Sequence, residues 1–194
     1  MRKVLCIAVA PLWLLACSGS STLSCPANSP PAGDFTLTLA LQHTPDECLI
    51  LRQADGGPAP ADASIVPSPQ SVTSTICAGN VNGGATLYLL VANSSFVRQS
   101  PLDSDGGFTF VTPTVKQAQT LCNCTADLNE SITGTLLGAG DGGFTVIADA
   151  GLVPQPTQNT GSVLQTLTPN PTDAGCLCNM PCAEHYTLTG TPNR

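Results

Sequence analysis

The sequence has little charge, few aromatic side chains and very few basic groups. Charged residues make up 10% of the 194 residues and aromatic residues 4%, with 6 Lys and Arg against 13 Asp and Glu. The shortage of Glu, Lys and Arg argues against a helical bundle or a coiled coil. The acidic balance argues against nucleic acid as a partner, because its phosphates attract basic side chains. The length suits one domain, since domains usually run to ~100–200 residues.

Long apolar runs are also scarce, and the longest is at the N-terminus. Arg2 and Lys3 precede the apolar run Val4–Ala16, which is shorter than the ~20 residues that a membrane-spanning helix needs. A positive start followed by a short apolar stretch is typical of a signal peptide, and the only tryptophan, Trp13, lies inside it. The sequence predicts that residues 1–16 are a signal peptide.

The signal ends in Leu14-Leu15-Ala16-Cys17. This tetrad resembles the lipobox of bacterial lipoprotein precursors. The resemblance implies cleavage before Cys17 and acylation of that cysteine, with two or three acyl chains anchoring the chain to a membrane. Ser18 follows instead of aspartate, which in this family implies transfer to the outer membrane of Gram-negative bacteria. The alternative is an ordinary signal peptide with a coincidental cysteine.

A Gly-, Ser- and Pro-rich stretch follows the lipobox, and residues 17–33 are expected to form a flexible tether. Residues 34–194 are expected to form a single β-domain. Removal of the signal leaves four basic against 13 acidic side chains, so the mature chain carries a net charge of about −9.

Eight cysteines remain after Cys17, and an even number in an oxidising compartment predicts four disulfides. Residues two apart on a strand point to one face with their Cβ atoms far apart, so neither Cys-x-Cys pair should bond internally. The candidates are Cys25, Cys48, Cys77, Cys122, Cys124, Cys176, Cys178 and Cys182. The alternative is a metal centre built from the last five thiols, although structural zinc usually takes C-x2–4-C spacing. No cofactor is expected.

The two Cys-x-Cys pairs also begin a weak internal echo. Cys122-x-Cys124 is followed by Glu130 and then Thr-Gly-Thr, and Cys176-x-Cys178 by Glu184 and then Thr-Gly-Thr. This echo is either a pair of equivalent Cys-strand units or chance in a chain rich in Thr and Gly.

The body has the pattern of an all-β protein. Phe35–Leu41 alternates apolar and polar residues, which is the pattern of a half-buried strand. No segment has a convincing helical period, and residues 125–132 have room for one helical turn at most. Further strands are predicted at 48–51, 72–77, 85–92, 108–112, 131–137, 144–148, 162–167 and 185–191. The expected fold is a disulfide-stapled antiparallel β-sandwich of about seven to nine short strands.

Four Asx-Gly-Gly triplets lie between the predicted strands and start at Asp55, Asn82, Asp105 and Asp141. Asx-Gly tolerates the positive φ that tight hairpins require. Residues 131–137 and 144–148 are therefore expected to form one hairpin. The run Asp103-Ser104-Asp105-Gly106 also permits a calcium loop, but an EF-hand needs Glu at position 12, where Thr114 stands.

Residues 53–71 hold four prolines among Ala, Asp and Ser, and proline cannot donate to a strand ladder. The sequence predicts an exposed loop here, with its base closed by a Cys48–Cys77 disulfide.

Catalytic motifs are missing. The chain has no Gly-x-Ser-x-Gly, no H-E-x-x-H and no phosphate-binding loop. Two histidines, His43 and His185, follow the predicted signal peptide. Glu184-His185 lies beside Cys182 and permits a metal or base role, but the plain interpretation is an exposed polar pair at the start of a strand. The carboxylate pairs Asp46-Glu47 and Asp103/Asp105 permit work on a glycosidic bond without indicating it. Tyr88 and Tyr186 are expected in the core. The favoured function is therefore non-enzymatic: a lipid-anchored outer-membrane protein with a structural or surface-interaction role. The alternative is a ligand-binding module for an extracellular or envelope peptide, protein, glycan or metal.

Overall fold

A computed structural model describes residues 24–52, 57–58, 64–65, 68–138, 143–147, 151–170 and 175–193. The predicted signal peptide and Cys17 lie outside these ranges. The described residues form strands and no helix, so none of them forms a helix long and apolar enough to cross a membrane. The strands are β1 Pro31–Gln42, β2 Gln70–Val81, β3 Gly84–Val91, β4 Arg98–Pro101, β5 Gly107–Val111, β6 Val115–Gln119, β7 Cys124–Gly138, β8 Thr145–Ile147, β9 Gly151–Val153, β10 Pro156–Pro169 and β11 Cys182–Pro192.

Nine of the strands form one antiparallel sheet in the order β4-β3-β2-β1-β11-β10-β7-β5, with β6 also paired to β7. The first and last strands are neighbours in the middle of this sheet, in a register from Phe35↔Pro192 to Gln42↔His185. β8 and β9 form a separate two-stranded sheet. The chain therefore enters and leaves the fold at one place.

The two ends of the sheet path lie close together. β4 and β5 are linked by an antiparallel bridge between Leu102 and Phe108, and the N–H of Thr109 donates to Ser100 Oγ at 2.8 Å. The result is a nearly closed sheet with a barrel-like or sandwich-like interior. The predicted all-β, antiparallel, disulfide-stapled class is confirmed, although eleven strands exceed the expected seven to nine.

The core lines the inside of this sheet. In β1 the side chains of Phe35, Leu37 and Leu39 are at most 2% exposed, while the threonines between them are half-buried, as the alternation predicts. Tyr186 is also in the core at 1% exposure, whereas Tyr88 is only half-buried. The other large buried side chains include Leu87, Phe110, Ile132, Leu136, Leu152 and Leu167.

Residues 125–132, which had room for one helical turn at most, belong to the 15-residue strand β7, where buried and outward positions alternate with a period of two. Two other local predictions are wrong. The expected hairpin of 131–137 with 144–148 is not formed, because β7 pairs with β10, β5 and β6, and β8 pairs with β9. Residue 148 lies outside the described residues. The predicted strand at 48–51 is reduced to isolated bridges at Leu49 and Ile50.

The turn chemistry fits the sequence at the β2–β3 connection. Asn82 (φ 51°) and Gly83 (φ 82°) both have positive φ, and they join Val81 to Gly84 as a two-residue hairpin. Such loops need positive φ at both central positions. The Asx-Gly signal therefore predicted this turn correctly.

The domain starts earlier than residue 34. β1 begins at Pro31, Ala32 is buried, and Cys25 is disulfide-bonded to β2. The described residues of the expected tether, 24–33, thus belong to the folded body. The loop predicted at 53–71 is also shorter than expected, since β2 begins at Gln70. The loop residue Ile65 is only 7% exposed, so the loop is not exposed at that position. Residues 53–56, 59–63 and 66–67 of that loop lie outside the described ranges.

Candidate functional site

All eight candidate cysteines form disulfides, which confirms the expected four. The pairs are Cys25–Cys77, Cys48–Cys182, Cys122–Cys178 and Cys124–Cys176. The predicted Cys48–Cys77 bond is wrong. β1 brings the N-terminal segment across β2, where Pro31 lies opposite Cys77, and this places Cys25 within bonding distance of Cys77.

The two Cys-x-Cys pairs bond to each other and not internally, as expected from strand geometry. Cys122–Cys178 and Cys124–Cys176 fasten the turn before β7 to the segment before β11, with Cα–Cα distances of 5.2 and 5.0 Å. The thiols of the proposed metal centre are therefore occupied by sulfur–sulfur bonds. Within the described ranges, no group of three or more His, Cys, Asp or Glu side chains could hold a metal ion.

A row of polar side chains crosses the inside of the sheet on three adjacent strands. Gln165 of β10 lies opposite Glu130 of β7 on one side and opposite Glu184 of β11 on the other. Glu130, Gln165 and Glu184 are 5%, 1% and 0% exposed. The two glutamates of the sequence echo therefore lie on either side of one glutamine. Burying a polar group lowers the stability of the fold unless the group is hydrogen-bonded, so these three side chains need hydrogen-bond partners.

Arg98 of β4 supplies the charge partner for Glu130. Its Nε donates to Glu130 Oε1 at 2.8 Å, and Gln165 Nε2 donates to Glu130 Oε2 at 2.9 Å. The guanidinium also stacks on the ring of Phe96, 4.6 Å from the ring centre. Arg98 is 5% exposed, so the sheet encloses a compensated ion pair whose carboxylate has donors on both oxygens.

A cavity of about 410 Å³ opens beside this pair. Its size lies within the ~300–1,000 Å³ usual for small-molecule sites. Gln165 is one of the lining residues, and its side-chain oxygen Oε1 is buried and has no hydrogen-bond partner among the described residues. The residues that line it are Asn93, Ser94, Ser95, Phe96, Arg98, Thr112, Val115, Lys116, Gln117, Ala118, Leu128, Glu130 and Gln165.

The other end of the polar row carries the acids and histidines that the sequence singled out. His43 Nδ1 lies 2.9 Å from Glu47 Oε2, and His185 Nε2 lies 3.2 Å from Asp46 Oδ2. The Cys48–Cys182 disulfide joins the two segments that carry these groups. The histidine side chains are 77% and 39% exposed. The predicted exposed pair Glu184-His185 is therefore wrong for Glu184, which is 0% exposed because it lies on the buried side of β11.

Glu184 is the most perturbed acid of this cluster. Burial, reinforced by the negative charges of Glu47 and Asp46, raises its pKa to about 8 against the opposing effect of the Cys48 backbone amide. Neither oxygen of its carboxyl group has a hydrogen-bond partner of acceptable geometry in the described part of the chain. Glu184 therefore keeps its proton at neutral pH because the charged form would be neither solvated nor paired.

Neither buried glutamate of the polar row is a free, exposed carboxylate. Glu184 is fully buried and cannot touch a substrate, while Glu130 is neutralised by Arg98.

Asp105, the last acid of the proposed calcium loop, accepts the N–H of Gly107 at 3.4 Å and so helps form the turn into β5.

Arg98 and Gln165 were missed by sequence reasoning. The one sequence signal for Arg98 was that basic side chains are rare, since residues 17–194 hold only four of them. For Gln165 the only sequence signal was its position in a Thr-rich predicted strand.

No known protein family matches this chain, and neither a curated protein nor a solved structure matches it.

Proposed function

We propose that this protein is a lipid-anchored, non-enzymatic binding module that works outside the cytoplasm and takes up a small ligand in the cavity beside Arg98. The cavity is the observation that carries the proposal. It combines a ligand-sized volume with a buried Arg98–Glu130 pair and hydrogen-bonding side chains such as Asn93 and Ser95 in its lining. Convergent polar groups in a concave site are the usual mark of small-molecule recognition.

The buried ion pair favours binding over a purely structural role. A buried salt bridge is weak evidence for stability, because well-packed apolar residues often serve the fold equally well or better. A domain that acts only as a structural spacer therefore gains little from Arg98 and Glu130. Their position in a cavity wall is consistent with a recognition role.

The location is proposed from the N-terminus and the cysteines together. Cys17 in the lipobox-like tetrad is proposed to carry the lipid and hold the domain at the outer membrane. Four disulfides support an oxidising compartment, because exported proteins keep such bonds and cytosolic ones rarely do. The proposed partners are then the membrane, through the lipid, and a ligand from the envelope or the medium.

The anchor is tested by Cys17→Ala, with Cys6→Ala as the matched control inside the signal peptide. Cys17→Ala should release the protein from membranes or leave an uncleaved precursor, while Cys6→Ala should leave an acylated, membrane-bound protein. Fractionation and intact-mass measurement give both results. A wild-type mature chain that begins elsewhere and lacks acyl mass would refute the anchor.

The binding role is tested by blocking the cavity. Ala118 is an exposed residue on its lining, so Ala118→Trp should obstruct the cavity without disturbing the core. Ala40→Trp, on the outward face of β1, is the control. Ligand-observed NMR against a mixed library of anionic, cationic, neutral polar and apolar compounds should give hits that Ala118→Trp abolishes and Ala40→Trp retains. Hits that survive in both variants, or a library without hits, would refute a binding role for this cavity.

A further inference from the structure

The cavity lies at a place where the sheet does not close. β5 and β6 pair one after the other with β7, but only β5 has a second neighbour, β4, through the bridge between Leu102 and Phe108. Among the described residues β6 pairs with β7 alone. Residues 115–118 of β6 line the cavity together with residues 93–96, which belong to the connection between β3 and β4. One wall of the cavity is therefore an unpaired strand edge.

A backbone hydrogen bond of β7 fixes which of its residues face β6. Glu130 O accepts the N–H of Thr112 at 2.9 Å, so the backbone of Glu130 points to the side of β7 where β5 and β6 lie. The N–H and C=O groups of successive residues point to opposite sides of an antiparallel strand, so Leu128, two residues earlier, points the same way as Glu130. Leu128 lies opposite Val115, and these two residues therefore form a hydrogen-bonded pair.

The same alternation leaves two residues of β6 with backbone groups on the cavity side. Val115 and Gln117 direct their N–H and C=O groups to β7. The N–H and C=O groups of Lys116 and Ala118 therefore point the other way, where no strand of the described chain lies, and both residues line the cavity. This free edge of β6, formed by Lys116 and Ala118, offers two donors and two acceptors to whatever lies beside it.

An extended peptide is the ligand that suits such an edge. Addition of a strand to a sheet edge uses main-chain hydrogen bonds at alternate residues, which is what the free edge of β6 offers. β6 has five residues and spans about 17 Å, so the added strand has about five residues as well. A second copy of this chain would bring its own sheet behind its edge strand, and residues 93–96 would obstruct that sheet.

The cavity lining indicates the side chains of this peptide. Phe96, Val115 and Leu128 contribute apolar side chains to the lining, and the two charges of the Arg98–Glu130 pair neutralise each other. Peptide side chains that point into the cavity are therefore apolar. Those that point outward lie beside a chain with four basic against 13 acidic side chains after the predicted signal peptide, which favours basic over acidic residues there.

We infer that the cavity binds an extended peptide of about five residues, which adds as a strand to the free edge of β6. Its alternate side chains are apolar where they point inward and basic where they point outward. This inference rests on the proposed binding function and names the ligand class of that site.

The test is calorimetric titration of the full mature chain in detergent with acetylated, amidated five-residue peptides. The probe is Lys-Val-Lys-Val-Lys. Glu-Val-Glu-Val-Glu is the acidic control, and Lys-Ser-Lys-Ser-Lys has the charge of the probe without its apolar side chains. The probe should bind more tightly than both controls.

Methylation of the peptide backbone tests the strand pairing itself. An extended peptide presents every second amide to β6, so N-methylation at positions two and four and N-methylation at positions three and five should have unequal effects. One of these two peptides should bind at least about tenfold more weakly than the probe, and the other should bind nearly as well. In hydrogen exchange, the probe should slow the amides of Lys116 and Ala118, while the amide of Gln117, which faces β7, should change little.

A protein variant with a matched control locates the edge. Ala118→Pro removes a cavity-facing N–H and should weaken binding of the probe about tenfold, whereas Ala118→Ser keeps that N–H and should not. Proline is tolerated on an edge strand where its nitrogen faces away from the ladder. The two methylated peptides keep the test valid if Ala118→Pro fails to fold.

Each outcome decides the inference. Binding of either control peptide as tightly as the probe overturns the inferred peptide, and equal effects of the two methylated peptides overturn strand addition. Dimerisation of the chain that Ala118→Pro abolishes would assign the edge to a second copy and also overturn the inference. If no peptide binds, the inference fails, and the mixed-library screen with Ala118→Trp decides separately whether the binding function fails with it.

Discussion

Replacing Glu184 by glutamine should remove one steep source of pH dependence from the stability of this domain. The folded pKa of Glu184 is raised to about 8 from an ordinary value of 4.5, by burial first and then by the charges of Glu47 and Asp46. Those two carboxylates are in turn paired with His43 and His185. The folded state therefore retains a proton that the unfolded state releases at much lower pH.

The sign follows from which state binds more protons. Between pH 4.5 and 8 the folded state holds the proton and the unfolded state does not, so raising the pH favours unfolding. The contribution of Glu184 to stability is intact below pH 4.5, falls by up to ~1.4 kcal/mol per pH unit, and levels off above pH 8. The whole change is roughly 4–5 kcal/mol, a large fraction of the ~5–15 kcal/mol stability of a typical domain.

The assay is guanidinium unfolding with disulfides intact, followed by far-ultraviolet circular dichroism from pH 4 to 9. The unfolding free energy of Glu184→Gln minus that of wild type should rise between pH 5 and 8 and then become constant. Asp103→Asn, at an exposed carboxylate, is the control and should give a nearly flat difference. A flat or falling difference for Glu184→Gln would show that Glu184 is not protonated in the folded protein at neutral pH.

Three further predictions concern the ion pair, one turn and the crosslinks. Arg98→Met should cost ~3–5 kcal/mol in denaturant unfolding because it leaves Glu130 buried without a cation, and Arg98→Met with Glu130→Met should recover most of that; a loss below ~1 kcal/mol contradicts this. Gly83→Ala should lower the free energy of unfolding by ~1 kcal/mol, because alanine is strained at the φ of 82° that Gly83 adopts. No atom lies within 4 Å of the added Cβ, so a steric clash would not explain the loss. An equal loss for Gly84→Ala would refute this backbone argument. Limited proteolysis within 53–69 should give fragments that stay joined until reductant is added, and peptide mapping should find both disulfides that span the cut; separation without reductant contradicts the pairing.

The sequence predicted features that depend on local rules. The alternation in Phe35–Leu41 gave the strand and its buried face, and Asn82-Gly83 gave the hairpin turn. The even number of cysteines after Cys17 predicted four disulfides, which the structure confirms. Each of these follows from a few neighbouring residues or from the compartment.

The failures depend on long-range placement. Cys48 bonds to Cys182, 134 residues away, and nothing near Cys48 indicates that β11 passes beside it. β4 (RQSP) and β6 (VKQAQ) were missed because they lack apolar alternation and are held by neighbouring strands. The cavity escaped prediction for the same reason: Arg98, Glu130 and Gln165 lie on three separate strands, and only the pairing of the sheet brings them together.

The Cys25–Cys77 disulfide would also set the distance between this domain and a membrane if the proposed lipid is carried by Cys17. Cys25 lies eight positions after Cys17, and a fully extended chain advances at most ~3.6 Å per residue, so the connecting segment is at most about 29 Å long. A lipid on Cys17 would therefore hold the domain within roughly one molecular diameter of the bilayer surface, and any ligand would have to be collected there. Reducing this one bond would remove the covalent limit on that distance, and the contact of Pro30 O with the N–H of Ala78 in β2 would then have to hold the segment.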